Sequence, residues 1–193
     1  MYQKPKRIIL FFSNQISLKI WKQTGIYDRE IKFYKTLKKK GYEILFVTHG
    51  DKSDYKYQND LGGIKILPLF ENIKKTDSIF YNFILGIISL LRNKKKLYNY
   101  DIIKTNQIYG GHLALICKFL INRDLIVRSG YEPYLFSIIT KKNIIKKVLY
   151  FLNSLILYKL SNKIITTSFN LKKYISRNFF IDKKKNKNKP KLY

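Results

Sequence analysis

A doubly wound α/β sheet, mostly parallel, is the fold this sequence predicts. Three observations carry the prediction. Short runs of strand formers alternate with longer amphipathic stretches along most of the chain. The strand runs are apolar nearly throughout, as in strands covered on both faces, rather than at every second residue. Glycine, proline and polar residues gather after the runs, where the loops of such a sheet lie.

The first strand is read at residues 7–12. An open polar loop follows, carrying Trp21, Lys22 and Gly25. In the helix read over 28–40, Ile31, Tyr34 and Leu37 share one face. Asp28 and Glu30 suit its positive end, and Lys38, Lys39 and Lys40 precede Gly41 at the other. Residues 43–48 form a second buried strand, and 49–63, polar and without helical period, a loop. A third strand over 63–67 stops at Pro68. With no helix read between the second and third strands, that pair need not be parallel.

A long apolar helix is expected over 78–93, capped by Asp77 or Ser78 and weakened by Gly86. The basic run 94–96 separates it from a fourth strand over 101–106. Gly110 and Gly111 open a helix reaching residue 122, and residues 125–128 make a fifth strand. The turn Ser129-Gly130-Tyr131-Glu132-Pro133 leads to a helix over 143–160, a sixth strand over 163–167 and a short helix over 171–178. Residues 1–180 thus read as one domain. Residues 181–193, rich in lysine and asparagine, have no apolar period and read as a disordered basic tail.

At 193 residues and 46% hydrophobic composition the chain can bury a sizeable core. Cys117 is the single cysteine and sits in an apolar run, so it reads as a small core residue outside any internal disulfide. The apolar start at residues 8–12 is too short for a signal-peptide core. Two longer apolar stretches, 79–91 and 148–160, fall short of a spanning helix and carry polar breaks. A cytoplasmic placement follows, with peripheral attachment to the inner face of the membrane as its extension. Net charge is +27, from 39 basic and 12 acidic residues, and all but six of the basic ones are lysines. Abundant lysine, asparagine, isoleucine and tyrosine together are also what an AT-rich coding sequence yields. Such a surface attracts polyanions and anionic membranes whatever its origin. Sequence-specific readers lean on arginine forks and a recognisable motif, whereas here the basic excess is nearly all lysine and no such motif is found, so no specific nucleic-acid partner is expected. Residues 141–163 join lysines to an apolar centre; this fits an anionic membrane surface, or a core helix with basic flanks.

In an open parallel sheet, ligands bind beyond the carboxyl ends of the strands. The residues placed there are Trp21, Lys22, Gly25 and Arg29 after the first strand, and His49 and Asp51 after the second. Asn106, Gln107, Tyr109 and the Gly110-Gly111-His112 turn follow the fourth. Arg128, Gly130, Tyr131 and Glu132 close the fifth, and Thr167 and Ser168 the sixth. A glycine-bearing loop before a helix start, as at Gly25 to Glu30, leaves backbone N–H groups free to meet an anion or sugar. Two histidines and one cysteine make no ligand-spaced metal set. A nucleophile elbow, a phosphate-binding P-loop, a dinucleotide fingerprint and an Asp-x-Asp pair are all missing. The end of the first strand, Phe11-Phe12-Ser13-Asn14, also lacks the acidic pocket of a receiver domain.

Several of these segments, in this order, resemble the N-terminal domain of GT-B glycosyltransferases, in particular the large retaining group called family four. They are Gly25 to Glu30 entering the first helix, Lys40-Gly41-Tyr42-Glu43-Ile44, and Tyr100-Asp101-Ile102-Ile103. Arg128-Ser129-Gly130-Tyr131 and Lys163-Ile164-Ile165-Thr166-Thr167-Ser168 complete the set. The resemblance implies a Rossmann-like, acceptor-binding half with Gly25, Arg29, Asn106, Gln107, Arg128, Gly130 and Tyr131 framing the cleft. It leaves the catalytic residues unassigned and calls for no metal. Where the family often has a histidine in the fourth-strand loop, this chain has Asn106, with His112 further on. Arg128 fits either a phosphate or sugar contact or a carboxylate partner.

The same resemblance implies a nucleotide-sugar donor for the intact enzyme and a glycan or lipid-linked acceptor. The donor is bound in a second domain that usually carries a Glu-x7-Glu pair. Glu30, Glu43, Glu71 and Glu132 are the only glutamates here and form no such pair. The expectation is therefore a truncated or frameshifted transferase, inactive alone, whose donor domain is missing or lies on a partner chain. Its uncovered face would bear Trp21, Tyr109 and Tyr131. The alternative is a non-enzymatic basic module binding nucleic acid or anionic membrane.

Overall fold

In the computed structural model, residues 6–182 and 185–188 are described. The first strand shows how the layers form. β1 (Arg7–Phe11) sends Ile9 and Phe11 into one core while Leu10, with Phe12 just beyond, enters a second. Alternate side chains of a strand point to opposite faces, so a continuous apolar run needs cover on both.

On one face the cover is α1 (Leu18–Gln23) and α2 (Tyr27–Lys39), which bury Leu18, Trp21, Tyr27, Ile31 and Tyr34. β2 (Glu43–Thr48) and β3 (Lys65–Pro68) come next, then α3 (Ile79–Arg92) and the short α4 (Lys94–Leu97). β4 (Ile102–Thr105), α5 (Gly111–Ile121), β5 (Asp124–Ser129), α6 (Pro133–Ile139) and α7 (Ile144–Leu160) continue the chain. β6 (Lys163–Thr166), α8 (Phe169–Asn178) and β7 (Asn186–Asn188) end it. Residues of α3, α5, α7 and α8 fill the core on the other face.

The sheet order is β3-β2-β1-β4-β5-β6-β7, and every pair is parallel. From β1 the chain winds outward to β3, then returns to lay β4 on the other side of β1. That reversal leaves a crevice at the carboxyl ends of β1 and β4, the usual ligand position in such sheets. The doubly wound α/β fold expected from the sequence is the fold observed.

Four local expectations change. β2 and β3, whose relative direction the sequence leaves open, are parallel, with Leu45 opposite Lys65 and Val47 opposite Leu67. The crossover between them is made by two 3-10 turns, Lys52–Tyr57 and Asn59–Leu61, rather than by an α-helix. Buried Asp54 and Leu61 pin these turns, so the segment is ordered without a helical period. The loop after β1 contains α1, capped by Ser17, whose Oγ accepts from Ile20 N at 3.2 Å. The turn after β5 contains α6, with Glu132 as N-cap and Pro133 in the first turn. The tail is not wholly irregular, since β7 extends the sheet beyond β6, with Ile164 opposite Asn186. Backbone groups on an open sheet edge accept a strand of any side-chain pattern, so no apolar period announces it. Residues 183, 184 and 189–193 of that tail lie outside the described residues.

No helix among the described residues is long and apolar enough to cross a membrane. Cys117 is fully buried, and burial pushes its thiol up to about 12.

Candidate functional site at the carboxyl edge

The loops after β1, β4 and β5 meet at the switch point. Asn14 N donates to Tyr109 O at 3.3 Å, joining the first loop to the fourth. Gly110 makes that approach: with φ of 86°, an added Cβ would lie 2.4 Å from Asn14 N. Asn106 N continues the ladder to Phe11 O at 2.8 Å.

Three of the expected site residues form one polar cluster with Glu30. The Arg128 guanidinium donates to Asn106 Oδ1 at 3.3 Å and Asn106 O at 3.4 Å, and lies 3.5 Å from Glu30 Oε2. Arg29 pairs with the other oxygen of Glu30 at 3.2 Å. Glu30 stands in the first turn of α2, so these contacts bring the helix start to the carboxyl end of β5. The Arg29 side chain is 73% exposed and that of Arg128 26%, whereas Asn106 is buried. Arg29 thus reaches into solvent while Arg128 is oriented from within. Gly25 sits ahead of the same helix with φ of 71° and open space around its Cα.

Gln107 and Gly130 form a second contact. Gly130 N donates to Gln107 Oε1 at 2.9 Å, and a Cβ on Gly130 would sit 3.1 Å from the Gln107 amide and 3.2 Å from Thr167 Cγ2. Gly130, Tyr131, Thr167 and Ser168 line an open cavity of about 440 Å3 between the ends of β5 and β6. Tyr131 is half-exposed there, its ring 4.6 Å from that of Phe136. Gln107 and Gly130 therefore meet directly, as do Arg29, Asn106 and Arg128 through Glu30. Tyr131 lines the same cavity as Gly130, and Gly25 stands just ahead of the helix that carries Arg29 and Glu30.

Trp21 does not belong to the exposed set. It is buried, stacked on Phe12 with centroids 3.9 Å apart, because α1 folds its apolar face onto the sheet. Tyr109 is half-exposed, and burial together with the Tyr150 phenol raises its pKa. Asn14, His49, Tyr109, His112 and Tyr150 line a smaller cavity of about 180 Å3 on the α5 side of the edge. His49 is buried with no partner for Nε2 among the described residues, and burial, helped by Lys75, lowers its pKa to about 4. Its ring is neutral at pH 7, able to exchange a hydrogen bond but not to hold an anion by charge.

Glu30 and Glu132 are the groups whose part sequence reasoning missed. Glu30 was legible only as a favourable charge at a helix start. Glu132 accepts from Leu135 N at 2.5 Å and from Ser154 Oγ at 2.7 Å, tying α6 to α7, and desolvation raises its pKa. A Glu-Pro pair at a helix start was its available signal. No cluster of three or more His, Cys, Asp or Glu suited to a metal exists among the described residues.

Neither a family model nor a curated protein matches this sequence. Solved structures do match the fold. MurG of Acinetobacter baumannii aligns with a TM-score of 0.57 and 11% identity, over 98% of this chain and 46% of its own. HepE of Anabaena, solved with UDP-glucose, aligns at 0.58 and 13% identity, over 96% and 44%. A glycosyltransferase from Rickettsia africae aligns at 0.58 and 19%, over 96% and 43%. The fold is the one these GT-B glycosyltransferases share, and the chain spans less than half the length of each.

Proposed function

We propose that this chain is the acceptor-side, amino-terminal half of a GT-B sugar transferase. The observation that carries the reading is the fold match, which takes in nearly all of this chain and under half of each glycosyltransferase. The intact reaction moves a sugar from a nucleotide donor to a hydroxyl of a glycan or lipid-linked acceptor. HepE has been solved with UDP-glucose, which makes a UDP-sugar the donor class to test first.

The carboxyl edge supplies acceptor-side chemistry. Arg128, oriented by Glu30 and Asn106, and the exposed fork of Arg29 offer planar donors to a phosphate or to sugar oxygens. Tyr131 offers an aromatic face in the cavity beside Gly130, whose missing Cβ lets Gln107 and Thr167 close in on the backbone. Donor binding belongs to a second domain, on the same chain or on a partner. The assembled enzyme acts as a peripheral protein at the inner face of the membrane, building cell-envelope polysaccharide.

Alignment of two substrates in one cleft supplies much of the rate of group transfer. This chain alone is therefore expected to leave a nucleotide sugar intact and to bind acceptor weakly. Supplying a donor-binding half, by co-expression or fusion, is expected to give transfer that Arg128→Ala weakens about tenfold. Turnover by the isolated chain contradicts the half-enzyme reading. So does donor binding by the isolated chain when the joined protein is silent.

A further inference from the structure

His49 follows β2 directly. It is 5% exposed, and its Nε2 is buried without a partner among the described residues. Buried polar atoms are nearly always paired, so this nitrogen marks a position for an outside hydrogen-bonding group. His49 lines the cavity of about 180 Å3. Asn14 and Tyr109 enter that cavity from the loops after β1 and β4, His112 from the first turn of α5, and Tyr150 and Asn153 from α7. Phe83, Leu113 and Leu157 add apolar walls. These belong to α3, α5 and α7, which pack on the sheet face opposite α2. The arginine cluster is anchored on α2, so it and the cavity lie on the two sides of one edge.

The lining narrows the occupant. No lysine, arginine, aspartate or glutamate takes part in it. Lys75 sits over the Phe70 ring, 5.0 Å from its centroid, and is outside the lining. Burial lowers the pKa of both His49 and His112, so both rings are neutral at pH 7. A phosphate or carboxylate entering here would give up its water with no cation to replace it. A hydrocarbon would leave the His49 nitrogen unpaired. A flat base meets no slot of parallel rings. Tyr109 and Tyr150 are tilted by 59° with centroids 6.2 Å apart, and Phe83 stands edge-on to His112 at 89°. A compact ring with hydroxyls on its edge and C–H groups on its faces satisfies all three conditions. The volume lies below the ~300–1,000 Å3 of ordinary ligand pockets, which suits one ring and not two.

We propose that this cavity is a charge-excluding sugar subsite, in which one uncharged pyranose ring hydrogen-bonds through a hydroxyl to His49 Nε2 and rests a C–H face on the Tyr109–Tyr150 pair. A neutral imidazole nitrogen either donates or accepts, and a hydroxyl meets either need. Selection of an uncharged ring is thus separated from the attraction for anions at Arg29 and Arg128. Calling the ring part of the acceptor rests on the transferase reading. Its binding does not, and is tested without donor or transfer, so its failure leaves that reading standing.

The test uses the whole chain with isotope-labelled histidine. Only two histidines occur, so the imidazole spectrum holds two sets of signals, told apart with H112Q. The probes are the methyl glycosides of glucose, galactose, mannose and N-acetylglucosamine, with methyl glucuronide as the charged counterpart and uridine as the flat ring. A saturable movement of the His49 Nε2 signal, in the millimolar range, is expected for at least one neutral glycoside. The glucuronide is expected to be about tenfold weaker than the best of them. Saturation transfer from protein to ligand protons reads the variants. H49F is expected to weaken binding about tenfold, and H49Q, which keeps a hydrogen-bonding group, to weaken it less. Asn153 is exposed, so N153F fills the cavity without disturbing the core and is expected to abolish the signal. The emission of buried Trp21, the single tryptophan, checks that each variant is folded. A His49 signal that no neutral glycoside moves overturns the proposal. Equal affinity for the glucuronide, tighter binding of uridine, or undiminished binding by folded H49F or N153F overturns it as well.

Discussion

Gly25 and Gly110 share a left-handed backbone but differ in surroundings. Gly25, at φ of 71°, has nothing within 4 Å of a new Cβ, so Gly25→Ala is expected to cost about 1 kcal/mol, the penalty of the conformation alone. Gly110, at φ of 86°, would drive a Cβ against the backbone of Ser13 and Asn14. Gly110→Ala must push the first and fourth loops apart, and a loss on the order of 3 kcal/mol is expected. Denaturant unfolding of both variants reads the contrast, and equal losses refute it. His49 gives a pH test at the same scale. Its folded pKa, about 4, lies below the ordinary 6.5, so the folded state binds fewer protons between those values. The stability it contributes is complete above pH 6.5 and is lost as pH falls toward 4, a change of about 3 kcal/mol. Other titrating groups cancel when the protein is compared with His49→Gln. The stability difference between the two is expected to shrink across that window and stay level above it.

Among the elements, α6 shows best how a short helix is held. Its seven residues are too few to be stable alone, and Glu132 fixes both its start and its seat on α7. Glu132→Ala removes a cap and leaves the buried Ser154 hydroxyl without its acceptor, so about 2 kcal/mol is expected to be lost. Hydrogen exchange is expected to quicken first in α6 and the start of α7. Uniform quickening across the sheet counts against this local role. The six strands from β1 to β6 and the long helices α2, α3, α5 and α7 were legible because burial on both faces writes a continuous apolar run and a helix face writes a 3.6 period. α1 and α6 were not, because polar and proline neighbours mask a helix of two turns. The β2–β3 crossover was hidden because buried Asp54, held by Thr48 Oγ1 and Leu18 N, looks like any loop carboxylate in the sequence. At the site, sequence order placed Asn106, Gln107, Arg128 and Gly130 at one edge. The pairing of Arg128 with Glu30 joins residues 98 apart, and no local pattern encodes it.

At the scale of the whole molecule, the charge of +27 is the property with the widest consequences. It gives the chain a long-range attraction for any polyanion, independent of what the cleft recognises. The two effects separate by salt. Binding that releases counterions from nucleic acid weakens about a thousandfold when salt rises from roughly 0.05 to 0.2 M, provided several phosphates are neutralised. Lysine-rich surfaces make such contacts without reading bases, because the ammonium is a point charge rather than a planar fork. Mixed-sequence duplex DNA is therefore expected to bind at low salt with no sequence preference and to release steeply as salt rises. Acceptor binding at the carboxyl edge is expected to change far less. There the donors are Arg29 and Arg128, already paired with one carboxylate, so the local charge is much smaller than that of the whole surface. Arg29→Gln removes one charge of 39 and is expected to leave the DNA salt slope nearly unchanged while weakening an acidic sugar or phosphate ligand. Fluorescence anisotropy with a labelled duplex, and calorimetry with the acceptor, provide the two readings. A sequence-dependent affinity that survives high salt would establish the basic binding module as the function and displace the transferase reading.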